Sequence, residues 1–171
     1  MHCGHLAHIG GPLTDIVDVQ TRSKMMSNIK GKNTSPEISI RKALHARGFR
    51  FRLHAKELPG KPDLILPKHR AAIFVNGCFW HGHTCRYFKL PRTRPEFWLD
   101  KINSNRQRDI RQIAALNEAG WRVLLIWECA IRAEKKEKKL FLVDAVQRWL
   151  LSGPRQFEID EKVLLDAVLE S

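Results

Sequence analysis

The segment from Asn76 to Cys85 constrains this chain more than any other. Its ten residues include two cysteines, two histidines, two adjacent aromatic residues and two glycines. It follows an apolar run at 71–75 that predicts a buried strand. Loops that leave a rigid strand often carry functional side chains. We therefore expect a functional site at this point.

Four side chains in and beyond this segment are candidate metal ligands. Cys78, His83 and Cys85 fall within eight residues, and Cys129 follows an apolar run at 121–127 that predicts a central strand. If the two strands are neighbours, Cys129 reaches the same place. Three cysteines and a histidine form a common structural zinc set, although this spacing is not that of a standard zinc finger. Alternatively, Cys129 is a small buried apolar residue and His83 a surface residue.

The charge of the chain indicates a polyanionic partner. Its 171 residues carry 30 Lys and Arg against 18 Asp and Glu, a net charge of +12 and a pI near 10.0. Such an excess suits binding to phosphates, and a merely soluble basic surface is the alternative. No apolar run approaches the roughly 20 residues of a membrane span. The start of the chain shows no export signal, which predicts a reducing, cytoplasmic location without disulfides.

We expect three regions along the chain. Residues 1–20, which include Cys3, form a flexible extension; 21–153 form the main domain; and 154–171 form an acidic tail or short helix. After Gly153 five acidic residues stand against two basic ones, leaving 28 basic against 13 acidic in the rest. We expect this tail to lie away from the polyanion. The basic stretch at 21–32 is either an arm that orders on nucleic acid or a solvated linker.

The secondary structure pattern predicts an α/β fold with helices covering a small mixed sheet. Ser35, Pro36 and Glu37 predict a helix start, and Gly48 predicts its end. The other predicted elements are strands at 49–53, 63–66, 70–75 and 121–127, and helices at 95–117, at 134–151 and, less clearly, around 164–168.

Asp63 is a second candidate for chemistry because it lies where a loop enters an apolar strand after Pro62. An acid there is as often an ordinary turn residue. In a basic protein, an aspartate that opens one strand of a hairpin is also the layout of the PD-(D/E)xK nucleases, whose aspartate holds Mg²⁺. The second acid and the lysine of that motif are missing here.

The chain resembles the very short patch repair DNA mismatch endonucleases. The resemblance runs through residues 20–150 in unbroken order, and its most specific part is Gly77 to His81 with His83 and Cys85. The other matching stretches are 21–24, Glu37, 58–63, 97–98 and 121–129.

This resemblance implies a bacterial enzyme that nicks double-stranded DNA on the 5′ side of the thymine in a T:G mismatch. Such mismatches arise from deamination of 5-methylcytosine. The implied fold is restriction-endonuclease-like, a mixed sheet flanked by helices with a structural zinc site. The resemblance also implies Mg²⁺-dependent phosphodiester hydrolysis by a monomer of the bacterial cytoplasm, associated with the nucleoid and other mismatch-repair proteins.

The resemblance also assigns roles to residues. Asp63 and the carbonyl of Val75 would hold Mg²⁺, His81 would be the general base, and Glu37 would orient His81. Cys78, His83, Cys85 and Cys129 would hold the structural zinc, the same set chosen above. The residues that would contact DNA are Arg22, Lys24, Met26, Phe79, Trp80 and Trp98.

Phe79, Trp80 and Trp98 match aromatic residues that this family wedges into the base stack, and Met26 matches an apolar residue that enters from the minor groove. Unstacking costs a few kcal/mol per step and less at a mispair, so a wedge favours mismatched DNA. The alternative for Phe79 and Trp80 is core packing. Successive strand residues face opposite ways, so at least one of the two should be exposed.

Asn76 departs from the family pattern, in which many members have a second catalytic histidine at this position. Asparagine can hydrogen-bond a metal-bound water but is not a proton donor near neutral pH. We expect Asn76 to position water and His81 to transfer protons, as suits an imidazole. Two other functions remain open: a restriction-type endonuclease of the same fold without mismatch specificity, and a non-catalytic zinc-containing DNA-binding module.

Overall fold

A computed structural model describes residues 33–53, 55–137 and 141–169, without the side chains of 134–137 and 167–169. The predicted extension at 1–20 and the DNA contacts assigned to Arg22, Lys24 and Met26 lie outside the described residues. The elements in chain order are α1 (Ser35–Ala46), β1 (Arg52–Leu53), β2 (Leu64–Leu66), a 3₁₀ turn (Pro67–His69), β3 (Ala71–Asn76), α2 (Pro95–Glu118), β4 (Arg122–Trp127), α3 (Glu128–Glu137), α4 (Phe141–Ser152), β5 (Gln156–Ile159) and α5 (Glu161–Leu169).

The described strands form one five-stranded mixed sheet flanked by helices, which confirms the predicted α/β class. Their order is β1-β2-β3-β4-β5. The pairs β1–β2 and β2–β3 are antiparallel, whereas β3–β4 and β4–β5 are parallel. The hairpin of β2 and β3 therefore leads into a parallel half-sheet.

The alternation of side chains along the strands gives the sheet two apolar faces. On one face Leu64, Ile73 and Leu124 join a core cluster with residues of α1, α4 and α5. On the other face Ile65, Val123 and Leu125 pack with Leu116 of α2. Residues 123–127 of β4 are all buried, so β4 is a central strand as its composition predicts.

Helix α1 begins and ends close to the predicted positions. The N-cap is Thr34, one residue before the expected Ser35, and Thr34 and Glu37 form a reciprocal capping box. Gly48 follows the helix with φ +83°, a left-handed conformation that glycine adopts without steric cost.

Two predicted elements differ from the structure. The described residues of the helix expected at 134–151 are helical, in α3 and α4, but α3 begins earlier than predicted, at Glu128 directly after β4. Ala130 and Ile131 of α3 pack into the core. This apolar stretch is short and is followed by charged residues after Ala133, so the sequence pattern did not reveal the start of the helix. The strand expected at 49–53 is reduced to β1, because Phe49 and Phe51 pack instead against the core.

The segment 154–171, treated above as an acidic tail or short helix, contains β5 and α5. β5 pairs with β4, and both Ile159 and Leu164 are buried in the core. No helix among the described residues is long and apolar enough to cross a membrane.

Candidate active site and metal cluster

The parallel pairing of β3 and β4 sets the position of the site. Asn76 lies opposite Trp127 at the ends of the two strands. The loop that begins at Gly77 and helix α3, which begins at Glu128, therefore leave the sheet at the same edge. Carboxyl ends of neighbouring parallel strands are the usual place for a ligand or metal site in α/β proteins.

The four predicted zinc ligands converge at this edge. One ligand atom from each of Cys78, His83, Cys85 and Cys129 lies within 4.8 Å of all the others. Cys78 and Cys129 are buried, at 2% and 0% exposure, and no disulfide joins the thiols of the cluster. A closed tetrahedral zinc site with Zn–S bonds of about 2.3 Å spaces its sulfurs by about 3.8 Å. The cluster is thus close to the geometry that a metal ion requires.

A hydrogen bond between the thiols of Cys78 and Cys129 shifts their pKa values in opposite directions. A hydrogen bond from Cys78 lowers the pKa of Cys129 to about 6 against the opposing effect of burial, and the backbone N–H of Glu161 and the His83 ring lower it further. The same shared hydrogen bond, together with burial, raises the pKa of the Cys78 thiol. Cys129 is therefore the first of this pair to become the thiolate that binds metal.

His83 is held on its ring face and at both nitrogens. Its ring stacks on the indole of Trp127, with centroids 4.2 Å apart and planes 15° apart. Its Nδ1 lies 3.6 Å from the Cys129 sulfur, and its Nε2 lies 3.5 Å from an Asp160 oxygen. Nδ1 is thus the nitrogen that faces the cluster.

Asp63, just before β2, is anchored to the neighbouring strand. Its Oδ2 accepts a hydrogen bond of 2.8 Å from the backbone N–H of Val75. Burial raises the pKa of Asp63 from the ordinary 3.8 to about 6, although the Val75 hydrogen bond opposes the rise. Nearby Glu37 raises this pKa further, whereas Arg41 and His81 lower it. A half-buried carboxylate with one oxygen occupied and a raised pKa is suited to bind a cation.

His81 is oriented by an aspartate that the sequence analysis missed. Its Nδ1 lies 2.5 Å from Oδ2 of Asp109, on helix α2. The assignment of this role to Glu37 differs from the structure: the Glu37 carboxylate bonds the side chains of Arg41 and Thr34 and the backbone of Asn33. No local sequence pattern distinguishes Asp109. Its contact with His81 depends on the packing of α2 against the 77–85 loop, which the sequence alone does not show.

A cavity of about 220 Å³ adjoins His81 and Asp109. Asn76 also lines it and is 8% exposed. Its position in the cavity wall places Asn76 to contact water or substrate that enters the cavity. The remaining lining residues include Gly60, Phe74, Arg108, Gln112, Ile113 and Leu125.

The candidate wedge residues form an aromatic cluster beside the loop. The rings of Phe79, Trp80 and Trp98 contact one another edge to face, with centroids 5.1–6.1 Å apart. All three are partly exposed and belong to neither apolar core cluster. Asn105, buried on α2, donates a hydrogen bond of 2.8 Å to the carbonyl of Trp80. Core packing is therefore not the role of Phe79 and Trp80.

Exposed cations are numerous on the 86–94 loop and on α2, the elements that follow the aromatic residues of the 77–85 loop in the chain. The guanidinium of Arg94 lies 4.8 Å from the ring centroid of Phe97, itself 47% exposed. Exposed aromatic residues together with cations are typical of a nucleic-acid contact. The exposed cations of the loop and the helix are Arg86, Lys89, Arg92, Arg94, Lys101, Arg106, Arg108 and Arg111.

The fold and site thus define an α/β protein with a metal-capable Cys₃His cluster, a half-buried aspartate and a histidine in contact with a second aspartate. Its sequence matches the family model described as DNA mismatch endonuclease Vsr over residues 14–87. It is 42% identical over 148 residues to the DNA mismatch endonuclease Vsr of Escherichia coli strain K12, covering 86% of this chain and 95% of that protein. The chain belongs to the Vsr family of DNA mismatch endonucleases.

Other relatives carry the name of nicking enzymes. The chain is 48% identical over 119 residues to the type II nicking enzyme V.XorIIP of Xanthomonas oryzae pv. oryzae, covering 70% of this chain and 88% of that enzyme. It is 41% identical over 120 residues to the type II nicking enzyme V.NmeAIP of Neisseria meningitidis serogroup A, covering 70% and 86%. Each of these three relatives is thus named as a nicking enzyme or an endonuclease.

Proposed function

We propose that this protein nicks double-stranded DNA 5′ to the thymine of a T:G mismatch, by Mg²⁺-dependent hydrolysis, to start very short patch repair. The observation that carries the proposal is the pair of Asp63 and His81. Each is fixed by its own hydrogen bond, to Val75 and to Asp109, near one edge of the sheet. A carboxylate for a hard cation and an oriented base are the two groups that hydrolysis of a phosphodiester needs.

Asp63 and the carbonyl of Val75 would hold Mg²⁺. The raised pKa of Asp63 fits this role, because a buried carboxylate without a cation is under-compensated. The bound ion would supply Lewis acidity at the scissile phosphate. The hydrogen bond from Val75 to Asp63 keeps the carboxylate in place before the ion binds.

His81 would take the proton of the attacking water at Nε2. Asp109 would accept a hydrogen bond from Nδ1–H, which favours the tautomer with a basic Nε2 and stabilises the imidazolium once it forms. Asn76, whose carboxamide lines the same cavity, would hold a water near His81. Glu37 would act on Asp63 through its charge, since it raises the pKa of that carboxyl.

The aromatic cluster would read the mismatch by entering the base stack. Phe79, Trp80 and Trp98 present partly exposed faces, and exposed cations are numerous on the 86–94 loop and on α2. Unstacking at a weak T:G pair costs less than at T:A, so the inserted rings favour the mispair. Zn²⁺ held by the Cys₃His cluster would brace the loop that carries Phe79, Trp80 and His81, and would take no part in hydrolysis.

The architecture supports a restriction-endonuclease-like fold. Asp63 precedes the first strand of the β2–β3 hairpin, and β3 continues into a parallel pair with β4. This is the layout of the PD-(D/E)xK nucleases, with the Val75 carbonyl where those enzymes have a second acid. We further propose a monomer of the bacterial cytoplasm that acts with other repair proteins. We also propose that residues 21–153 form the endonuclease domain and carry the activity.

Nicking of a labelled T:G duplex tests the proposal. We expect Mg²⁺-dependent cleavage 5′ to the thymine, little cleavage of the matched T:A duplex, and none with Asp63→Asn. Equal cutting of both duplexes would identify a restriction-type nuclease instead. Binding of the T:G duplex without cutting at any Mg²⁺ concentration would identify a zinc-containing DNA-binding module.

A further inference from the structure

Three acidic residues of the C-terminal segment lie close to the metal cluster. Glu158, Asp160 and Glu161, at the junction of β5 and α5, each contact a residue of the cluster or one of its immediate neighbours. Acids beside several cysteine thiols are unfavourable unless donors offset their charge. Each of these acids has such a donor, which indicates an arrangement built around the cluster.

Asp160 uses its two oxygens for different tasks. Oδ1 accepts hydrogen bonds from the backbone N–H groups of Lys162 (2.9 Å) and Val163 (3.0 Å) at the start of α5. Oδ2 lies 3.5 Å from Nε2 of His83. One carboxylate therefore caps the C-terminal helix and faces a candidate metal ligand.

The orientation of His83 makes this contact informative. Nδ1 faces the cluster and Nε2 faces Asp160, on opposite sides of the ring. An imidazole that binds a metal through Nδ1 keeps its proton on Nε2, and a carboxylate at that position fixes the tautomer and the ring. Asp160 stands where such a supporting carboxylate is needed.

Three further contacts join the segment to the cluster. Glu158 accepts a 2.9 Å hydrogen bond from the indole of Trp127, on which His83 stacks. Glu161 forms an ion pair with Arg86, the neighbour of Cys85. The backbone N–H of Glu161, at the N-terminus of α5, bonds the sulfur of Cys129, as a helix N-terminus favours for a thiolate.

We propose that Asp160 is a positioning residue for the metal site, and that metal binding and the folding of segment 156–166 stabilise each other. The inference rests on the zinc site of the proposed function. It also accounts for the acidic character of this segment in a basic protein. The carboxylates face the metal loop and the helix cap instead of forming a solvated tail.

The zinc affinity of the full-length protein, measured by chelator competition, tests this. Asp160→Asn and Asp160→Ser keep a side chain that caps α5 but remove the carboxylate from His83. We expect zinc binding about 10- to 100-fold weaker in both variants, the usual loss for such supporting groups. Asp166→Asn, an exposed acid on the same helix, is the matched control and should leave the affinity unchanged.

Hydrogen exchange of the backbone amides tests the coupling to folding. Removal of zinc from the wild type should increase exchange at 156–166 more than in β3, and Asp160→Asn should raise exchange there even with zinc present. The inference would be overturned if the wild type and both Asp160 variants bound zinc with equal affinity. It would also be overturned if hydrogen exchange at 156–166 did not depend on zinc. Neither result would contradict the proposed function. A wild-type protein that binds no zinc would overturn the metal site and the inference together.

Discussion

Nδ1 of His81 lies 2.5 Å from Oδ2 of Asp109, and this contact joins the loop after β3 to the middle of α2. A carboxylate beside Nδ1 favours the tautomer that is protonated there, and Nε2 is then the nitrogen proposed above for proton transfer. The pair stands at the wall of the cavity that Asn76 also lines. His81, Asp109 and Asn76 thus line one cavity.

Asp109→Asn should slow nicking about 100-fold or more, because the amide cannot hold the Nδ1 proton or stabilise the imidazolium. Single-turnover nicking of T:G duplex at saturating protein measures the effect without a contribution from binding. Asp100→Asn, an exposed acid on the same helix, is the control and should retain full activity. An Asp109→Asn rate within twofold of the wild type would contradict the orienting role.

Asp63→Asn should abolish nicking and yet stabilise the metal-free protein. Because the pKa of Asp63 is about 6 in the folded chain against an ordinary 3.8, the folded state binds its proton more tightly. The free energy of unfolding therefore falls as the pH rises from about 4 to 6, and stays lower above pH 6. The shift of about two units corresponds to about 3 kcal/mol, an upper limit for the gain at pH 8.

Urea unfolding in EDTA at pH 8 and pH 4 measures this gain. Asp63→Asn should be more stable than the wild type at pH 8, and the difference should vanish near pH 4, where the wild-type carboxyl is protonated. Asp166→Asn should show neither effect. An Asp63→Asn variant that is less stable than the wild type at pH 8 would contradict the conclusion that the charged Asp63 carboxylate destabilises the metal-free protein.

Nicking should depend on pH and Mg²⁺ together. Below about pH 6 Asp63 takes up a proton and can no longer hold the cation, so the rate at sub-saturating Mg²⁺ should fall about tenfold per pH unit. Raising Mg²⁺ should move the midpoint to lower pH, because cation and proton compete for one carboxylate. The measurement is the nicking rate from pH 5 to 8 at two Mg²⁺ concentrations. A pH midpoint that does not change with the Mg²⁺ concentration would contradict the assignment of Asp63 as a Mg²⁺ ligand.

Asn76→Ala should slow nicking about tenfold without weakening DNA binding. The buried carboxamide lines the cavity beside His81, and its loss would leave the attacking water less well placed. Asn76→Asp keeps the size of the side chain and tests whether an acceptor alone suffices. An Asn76→Ala variant with an unchanged single-turnover rate would rule out a catalytic role for Asn76.

Trp80→Ala should reduce the preference for T:G over T:A DNA by about 10- to 100-fold, since stacking of an aromatic ring on a base contributes about 1–3 kcal/mol. Trp80 is partly exposed next to Phe79 and Trp98, and its carbonyl is held by Asn105. Trp80→Phe retains an aromatic face and should keep most of the preference. The measurement is the ratio of nicking rates on the two duplexes, and an unchanged ratio in Trp80→Ala would exclude the wedge.

The sequence by itself determined the parts of the site that follow one another along the chain. Cys78, His83 and Cys85 are marked by their spacing, and α1 is marked by its proline, its acid and Gly48. The sequence predicted that Cys129 would join these residues if the strands at 70–75 and 121–127 were neighbours, and the pairing of β3 with β4 meets that condition. Local patterns suffice here because hydrophobic periodicity and capping act over a few residues.

The tertiary structure alone decided which distant side chains complete the site. Asp109 contacts His81 across 28 positions, and Asp160 contacts His83 from a segment that the sequence predicts as an acidic tail or short helix. Neither acid differs in the sequence from an ordinary surface residue. Their roles depend on how α2 and α5 pack against the sheet, and that packing is set by the whole core. Segment 76–85 therefore marks the site, while α2 and the turn before α5 bring Asp109 and Asp160 into contact with His81 and His83.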